Sequence, residues 1–221
     1  MGRRTSLTVG PLAAASANNV CLSQTPLGAG NLTLDGALVV SGVAMLDQPR
    51  HIIVTCAAAE NTKTFTAYGT DWSGQPIQSL PVAGPAAPGA VDFGVSFATV
   101  TRIAVSAATT GAVTVGTNTV ADSRPMFTDE FGYGPTNIQV NVSGTANYTV
   151  HSSQDDPNGS GGFGVPLGLQ NCIWISHPDL TAQAVSVQSA FSACPKLIQL
   201  TLNSGTGSVQ ATITQLASPS I

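Results

Sequence analysis

Short extended runs, repeatedly interrupted by turn-forming residues, constrain this chain more than any other feature. Throughout its 221 residues, alternating or β-branched runs recur between clusters of Gly, Pro, Asn and Ser. No window has the apolar period of about 3.6 residues that marks an amphipathic helix. The pattern predicts an all-β fold, and the close spacing of the runs favours sandwiches or barrels. We predict strands near residues 31–34, 37–41, 51–56, 64–69, 97–106, 112–117, 136–142, 146–151, 172–176, 184–188, 196–202 and 208–215.

A weak internal repeat divides the chain into two parts. Residues 97–115 and residues 191–213 each begin with Phe and reach a basic residue five positions later. Each then continues through a β-run, a turn containing Gly and Thr, and a second β-run. We interpret the repeat as a closing hairpin used twice, once in each of two domains.

The boundary between these domains is predicted near Arg124. Pro125 lacks a backbone donor and restricts the residue before it, which is typical of a linker or a domain edge. The residues before Leu27 are mostly Ala, Ser, Asn and Gly, a composition without a core of its own. We therefore predict two β-sandwich, Ig-like domains at residues 28–124 and 125–221, preceded by an extended N-terminal arm at residues 1–27.

The composition favours a subunit of a larger assembly. Only 8% of the residues are charged and 43% are hydrophobic, whereas an ordinary soluble domain has about 25% charged residues. Like-charge repulsion, which normally discourages association, is therefore weak. The alternative is a secreted bacterial β-protein.

The net charge of −4 and the lack of a basic block argue against nucleic acid as a partner. No apolar run reaches the length of a membrane helix.

The four cysteines predict buried thiols. Cys21, Cys56, Cys172 and Cys194 are far apart and lack the close spacing of a zinc site. A disulfide between Cys172 and Cys194 is the open alternative, and a reducing cytoplasm would disfavour it.

Residues that suggest catalysis are sparse. The histidines are His51, His151 and His177, and no Gly-x-Ser-x-Gly elbow accompanies them. A triad of His151, Asp155 and a serine, or acid pairs at residues 129–130 and 155–156, would suit a hydrolase. Only 5% of the residues are aromatic, however, so platforms for sugar rings are scarce. We predict a protein that is not an enzyme and has no catalytic residue, cofactor or metal site; calcium at residues 155–159 stays an open alternative.

Four residues are candidates for contacts with other proteins. Trp72 lies in a predicted turn, whereas Trp174 lies in an apolar run and is interpreted as core. Phe163 lies in the Gly-rich loop at residues 158–164 and has the character of an aromatic anchor. The Pro-rich stretch at residues 81–89 is predicted to be a linker or an arm that docks on another subunit. The interface candidates are Trp72, Phe163, Pro85 and Pro88.

The second half of the chain contains an ordered series of motifs. The series comprises a hairpin at residues 140–151, Asp-Asp-Pro at 155–157, Trp-Ile-Ser-His-Pro at 174–178 and a β-rich run at 195–215. It covers about 80 residues and resembles structural proteins of short-tailed and related tailed phages. In the first half, residues 65–76 are similar to phage modules with a strand and a Gly turn. The resemblance implies a virion protein and transfers no catalytic residue.

The resemblance and the composition together lead us to expect a non-enzymatic accessory subunit of the neck or tail, either in the head-to-tail region or at a fibre base. It would be assembled in the host cytoplasm and act through contacts with its own copies and with other virion proteins. A capsid decoration or cement protein is the first alternative. A carbohydrate- or receptor-binding module, which would have exposed aromatics clustered on one face, is the second.

Overall fold

The computed structural model describes residues 3–128, 135–157 and 171–215, and within them the architecture is all-β, as predicted. A short 3₁₀ helix spans Pro178–Leu180. In the described ranges, no helix is long and apolar enough to cross a membrane. The strands are β1 (Arg3–Val9), β2 (Ser16–Gln24), β3 (Gly30–Asn31), β4 (Val39–Val40), β5 (Val43–Cys56), β6 (Thr64–Thr70), β7 (Pro76–Gln78), β8 (Val82–Ala83), β9 (Gly89–Val105), β10 (Val113–Asp122), β11 (Met126–Phe127), β12 (Thr136–Ser143), β13 (Ala146–Ser153), β14 (Ile175–Ser176), β15 (Val187–Phe191), β16 (Leu197–Gly205) and β17 (Ser208–Gln215).

The chain forms two compact units, one interrupted and one continuous. The terminal unit consists of Met1–Pro11 and Asp122–Ile221, and the inserted unit is Leu12–Ala121. The chain therefore begins in the terminal unit, leaves it after Pro11 and returns at Asp122. The predicted boundary at Arg124 lies two residues beyond this return.

The terminal unit contains two antiparallel sheets. In one, the strand order is β1-β17-β12-β15. In the other, β13 pairs with β14 and β16, and β16 also pairs with β11. Alternating side chains of β12 are buried and exposed because successive side chains of a strand point to opposite faces. The buried sides of the strands supply the core, which includes Val140, Tyr148, Leu200, Leu202 and Ile213.

The inserted unit has one antiparallel sheet around a single core. Strand β5 pairs with β10 and β9, while β9 also pairs with β6. Both β5 ladders contain register shifts, which mark bulges, and bulges bend a strand and increase its twist. The core includes Val54, Phe65, Phe97, Ile103 and Val115.

The N-terminal arm predicted at residues 1–27 contains two strands, each paired with a strand of one of the two units. Strand β1 pairs with β17 over seven residues, and β2 pairs with β10. In β1 the buried Leu7 and Val9 alternate with polar residues, and this short alternation is the signal for a strand. The side chains of Val20 and Cys21 in β2 are also fully buried.

The closing hairpins predicted from the internal repeat are wrong. Strand β5 lies between β9 and β10, so the two strands of the first repeat do not pair with each other. In the second repeat, β16 and β17 belong to different sheets. The turn between them carries the chain from one sheet to the other, a change that a shared sequence pattern does not reveal. The Ig-like character of the units stays a prediction.

Candidate interaction surfaces

One exposed segment of the inserted unit carries three of the four predicted interface residues. Residues 71–89, here called the edge segment, contain β7 and β8 and follow one side of β6. Between the two strands, the Ser79 N–H donates to the Ala67 carbonyl at 2.9 Å and the Ser79 Oγ accepts from the Ala67 N–H at 3.0 Å. Leu80 then projects outward with 82% of its surface exposed.

Trp72 lies at one end of the edge segment, in the turn that the sequence predicted. The Asp71 Oδ1 atom accepts hydrogen bonds from the Ser73 N–H at 2.8 Å and the Gln75 N–H at 3.0 Å. Gly74 has a φ of 82°, which is the left-handed conformation that glycine adopts most easily. This fixed turn leaves 39% of Trp72 exposed.

Pro85 and Pro88 lie at the other end, where the structure differs from the predicted linker or docking arm. The Pro85 carbonyl accepts the Glu60 N–H at 2.8 Å, and the Gly84 N–H donates to the Lys63 carbonyl at 3.0 Å. These bonds hold the stretch against its own unit, because they pair its backbone with the neighbouring loop at residues 60–63. Pro88 is exposed and Pro85 is partly buried. Strand β6 separates this end from Trp72, so the candidates lie roughly 20 Å apart.

A buried carboxylate anchors the Pro-rich end. Glu60 has no exposed surface, and its Oε1 accepts the N–H groups of Thr110 at 2.6 Å and Gly111 at 2.8 Å. The Lys63 ammonium lies 2.9 Å from the Oε2 atom. Burial by itself raises the pKa of Glu60, but Lys63 and the two N–H groups outweigh it and hold that pKa below its ordinary value. Glu60 therefore joins three loops and is not poised as an acid.

The terminal unit also exposes large apolar side chains, around β14. Ile173 is 71% exposed and Ile175 is 65% exposed, while Trp174 between them is partly buried. The interpretation of this run as core is therefore correct only for the buried Cys172. The predicted anchor Phe163 lies outside the described residues.

A predominantly polar surface was missed by sequence reasoning. On the sheet β1-β17-β12-β15, the side that faces away from the core carries mainly Ser, Thr, Asn and Gln, together with the exposed Arg4 of β1, and we call it the polar face. One row across it runs through Ser6, Thr212, Gln139 and Gln188. The Ser6 and Thr212 hydroxyls are 3.3 Å apart, and Gln188 Nε2 donates to Gln139 Oε1 at 3.4 Å. Its signal was the alternation of amides with Ile and Val in residues 137–143.

The described partners of His51 and His151 lie outside the acid pairs of the hydrolase alternative. His51 Nδ1 lies 3.0 Å from the Asp92 carboxylate, which also accepts from Asn118 at 2.6 Å. His151 Nδ1 lies 3.2 Å from the Ser176 hydroxyl, and burial lowers the pKa of this histidine although Asp122 acts in the opposite direction. The Asp155 Oδ2 atom instead accepts the Ile173 N–H at 2.6 Å.

His177 has a structural position. Its Nδ1 accepts the Asp179 N–H at 3.2 Å and caps the 3₁₀ helix. Its Nε2 lies 3.2 Å from the Ala190 carbonyl, and a carbonyl requires a donor there. The ring also packs edge-on against Phe191, with the ring centres 4.7 Å apart.

All four cysteines are thiols, and in the described residues no cluster of His, Cys, Asp and Glu has the composition of a metal site. Cys21 and Cys56 are buried in the inserted unit. Burial first, then the Asp35 carboxylate, raises the pKa of Cys21 to about 12. Burial and then Glu60 raise the pKa of Cys56 to about 11. Both groups are therefore packed apolar side chains at neutral pH, as the sequence predicted.

Comparison of the chain with protein-family models and with curated proteins found no match.

Proposed function

We propose that the protein is a non-enzymatic structural component of a tailed-phage virion, an accessory subunit of the neck or tail. It acts through contacts with further copies of itself and with other virion proteins. The observation that carries the proposal is a surface that combines very few charges with large exposed apolar side chains. These side chains are Leu22, Leu27, Val40, Met45, Trp72, Leu80, Phe127, Ile173, Ile175 and Val185.

The energetics of such a surface favour assembly. Each apolar side chain that leaves water on association contributes roughly 25 cal/mol for every Å² buried. With only 8% charged residues, little like-charge repulsion opposes this gain. Prolines at 76, 81, 85 and 88 lack backbone donors, which protects the edge segment from unselective strand pairing while leaving its side chains accessible.

Self-association of the full-length chain tests the first half of the proposal. We expect oligomers by light scattering at micromolar concentration, and we expect Trp72→Ser combined with Leu80→Ser to weaken them. The control is Val40→Ser, which removes an apolar side chain that is 66% exposed and lies outside the edge segment. Equal effects of both changes would argue against the edge segment, and a chain that is monomeric at all concentrations would contradict the proposal.

Location in a particle tests the second half. The chain should be found by mass spectrometry in purified virions and by reconstruction as one ring at a single vertex. Copies spread over the capsid would instead support a decoration protein. Absence from purified particles would refute a virion role.

The polar face supports a second candidate, a carbohydrate- or receptor-binding module. Neutral amides and hydroxyls such as those of Gln139, Asn141 and Gln210 match the hydroxyl groups of a glycan. This candidate also requires clustered aromatics, whereas the exposed aromatics of the described residues, Trp72 and Phe127, belong to different units. Binding on a glycan array that is lost in Asn141→Ala would favour this candidate over the first.

A further inference from the structure

One cation of the inserted unit has a different kind of partner from the other two. The cations of this unit are Arg50, Lys63 and Arg102. Arg50 and Lys63 each pair with a carboxylate of their own unit. Arg102 is exposed, and its Cζ atom lies 3.6 Å from the centre of the Tyr68 ring. In residues 12–121, all of which the structure describes, the ion pairs do not include Arg102.

A bulge in β9 brings Arg102 over this ring. In the β6–β9 ladder, Tyr68 lies opposite Arg102, whereas the next residue, Gly69, lies opposite Val100. Thr101 is therefore an extra residue on β9, and both Thr101 and Arg102 are exposed. The Thr101 Oγ1 atom donates to the Tyr68 carbonyl at 3.3 Å. Bulges re-aim side chains, and this one directs the guanidinium onto the residue opposite.

The two strands are packed closely beside the bulge. A Cβ atom on Gly69 would lie 1.9 Å from the Thr99 carbonyl oxygen, so the backbones of β6 and β9 are in contact there. The hydroxyls of Thr70 and Thr99 are 2.7 Å apart. These contacts fix β6 against β9, and the ring and the guanidinium are therefore presented in one arrangement. A group that is already ordered loses less conformational entropy when it binds.

The pair lies on the side of the sheet that points away from the core of the inserted unit. Phe65 and Ala67 alternate with Tyr68 along β6 and are fully buried, so the Tyr68 ring is on the opposite side. Met45 of β5 lies opposite Thr99 of β9 and is 52% exposed. We call this surface the Arg–Tyr face, and it comprises Met45, Tyr68, Thr70, Thr99, Thr101 and Arg102.

The stacked guanidinium keeps its hydrogen-bonding edge available. The ring covers the flat side of the group, whereas its N–H donors lie in the plane and form a fork that matches the two oxygens of a carboxylate. A nucleic acid or an anionic membrane would instead need several cations together, and this face has one. Arg, Met and aromatic side chains are the types enriched in protein–protein interfaces. The chemistry therefore fits a protein that presents a carboxylate.

We propose that the Arg–Tyr face binds a different virion protein through an Asp or Glu side chain of that protein, whose carboxylate pairs with Arg102. Charge complementarity supports this occupant, because Arg102 is the cation that the inserted unit leaves without a carboxylate. Tyr68 positions the guanidinium, and Met45 supplies an apolar contact beside it. This inference rests on the proposed function, since it specifies the chemistry of one contact between the subunit and a neighbour.

Carbodiimide coupling in purified virions tests the contact. Arg102→Lys places a primary amine where the guanidinium lies, and a carbodiimide joins an amine to a carboxylate that it touches. We expect an amide crosslink between position 102 and one Asp or Glu of a different virion protein, identified by peptide mass spectrometry. The control is Gln188→Lys, which adds an amine at an exposed position of the polar face and should not couple to that carboxylate.

A second variant measures what the charge contributes. Arg102→Met keeps an apolar stem beside the Tyr68 ring but removes the charge and the N–H donors. When it is co-expressed with differently tagged wild type, we expect it to be depleted in virions about tenfold. Equal incorporation, or the lack of a crosslink from Arg102→Lys, would overturn the inference and leave the proposed function intact, because the wild type would still be present in particles. Absence of the wild type from purified virions would refute both.

Discussion

At the scale of single residues, two of the chain's few charged side chains form hydrogen bonds that fix its backbone. Glu60 accepts two loop N–H groups and pairs with Lys63, while Arg50 binds the carbonyls of Ala13 and Asn118. Although the chain has few ionic side chains, Glu60 and Arg50 are among its most buried side chains. Their main-chain partners lie in loops and in β10, so each substitution should act on local architecture.

Replacement of Glu60 with Gln should destabilise the inserted unit by about 2 kcal/mol, because the amide NH₂ would meet the Lys63 ammonium and leave buried donors unpaired. The loss should depend on pH. The folded-state pKa of Glu60 lies below its unfolded-state value of about 4.3. Its stabilisation is therefore complete well above that value and disappears as the pH falls through the folded-state pKa.

Urea unfolding of the wild type and of Glu60→Gln between neutral and acidic pH checks this prediction. The difference in unfolding free energy should shrink toward low pH. Asp156→Asn is the control, because this carboxylate is 48% exposed and Lys196 lies 3.9 Å from it; its effect should stay below about 0.5 kcal/mol. A Glu60→Gln effect that is constant with pH would contradict the role of the ionised group.

The buried thiols should be chemically silent in the native protein. Since the pKa values of Cys21 and Cys56 are raised to about 12 and about 11, thiolate is negligible at pH 8 and the side chains are also shielded. A thiol reagent followed by peptide mass spectrometry should label the partly buried Cys194 first. Cys21 and Cys56 should react only after denaturant is added. Rapid labelling of Cys21 without denaturant would show that β2 detaches.

At the scale of elements, the pairing of β2 with β10 depends on a close approach of their backbones. A Cβ on Gly116 would lie 1.8 Å from the Ser16 carbonyl oxygen, because β2 passes directly against β10 there. Gly116→Ala should force the strands apart and destabilise the protein by about 3 kcal/mol. Gly28→Ala is the matched control, since no atom lies within 4 Å of the added carbon. Denaturant midpoints compare the two, and equal midpoints would contradict the close packing.

The elements also show why sequence reasoning found some strands and missed others. Strands β12, β13 and β17 have long runs or clear alternation and were predicted nearly to their ends. In contrast, β2 pairs with β10 through register shifts, and the Asn19 side chain replaces a backbone partner of Thr117. Such pairing leaves no periodic signal. The turn around Trp72 was predicted correctly because a turn is a local feature, whereas the exposure of Leu80 depends on the pairing of Ser79 with β6.

At the scale of the whole molecule, the order of the chain gives the two units different degrees of independence. The inserted unit is one continuous segment with its own core, so residues 12–121 should fold when expressed alone. The terminal unit is split, and residues 122–221 lack β1 with its buried Leu7 and Val9. Loss of these two side chains and of one complete ladder should cost about 4 kcal/mol or more, enough to unfold a small domain. We therefore expect this fragment alone to be unfolded or aggregated.

Adding a peptide of residues 1–11 in trans should restore the folded terminal unit, because the β17 edge needs the strand and not the covalent connection. Circular dichroism and proton NMR dispersion of residues 122–221, with and without the peptide, measure the recovery. A peptide with Leu7→Ser and Val9→Ser keeps the length and the backbone hydrogen bonds but removes the buried side chains, so it should fail. If residues 122–221 fold fully without any peptide, β1 is dispensable and its pairing with β17 does not contribute to the stability of the terminal unit.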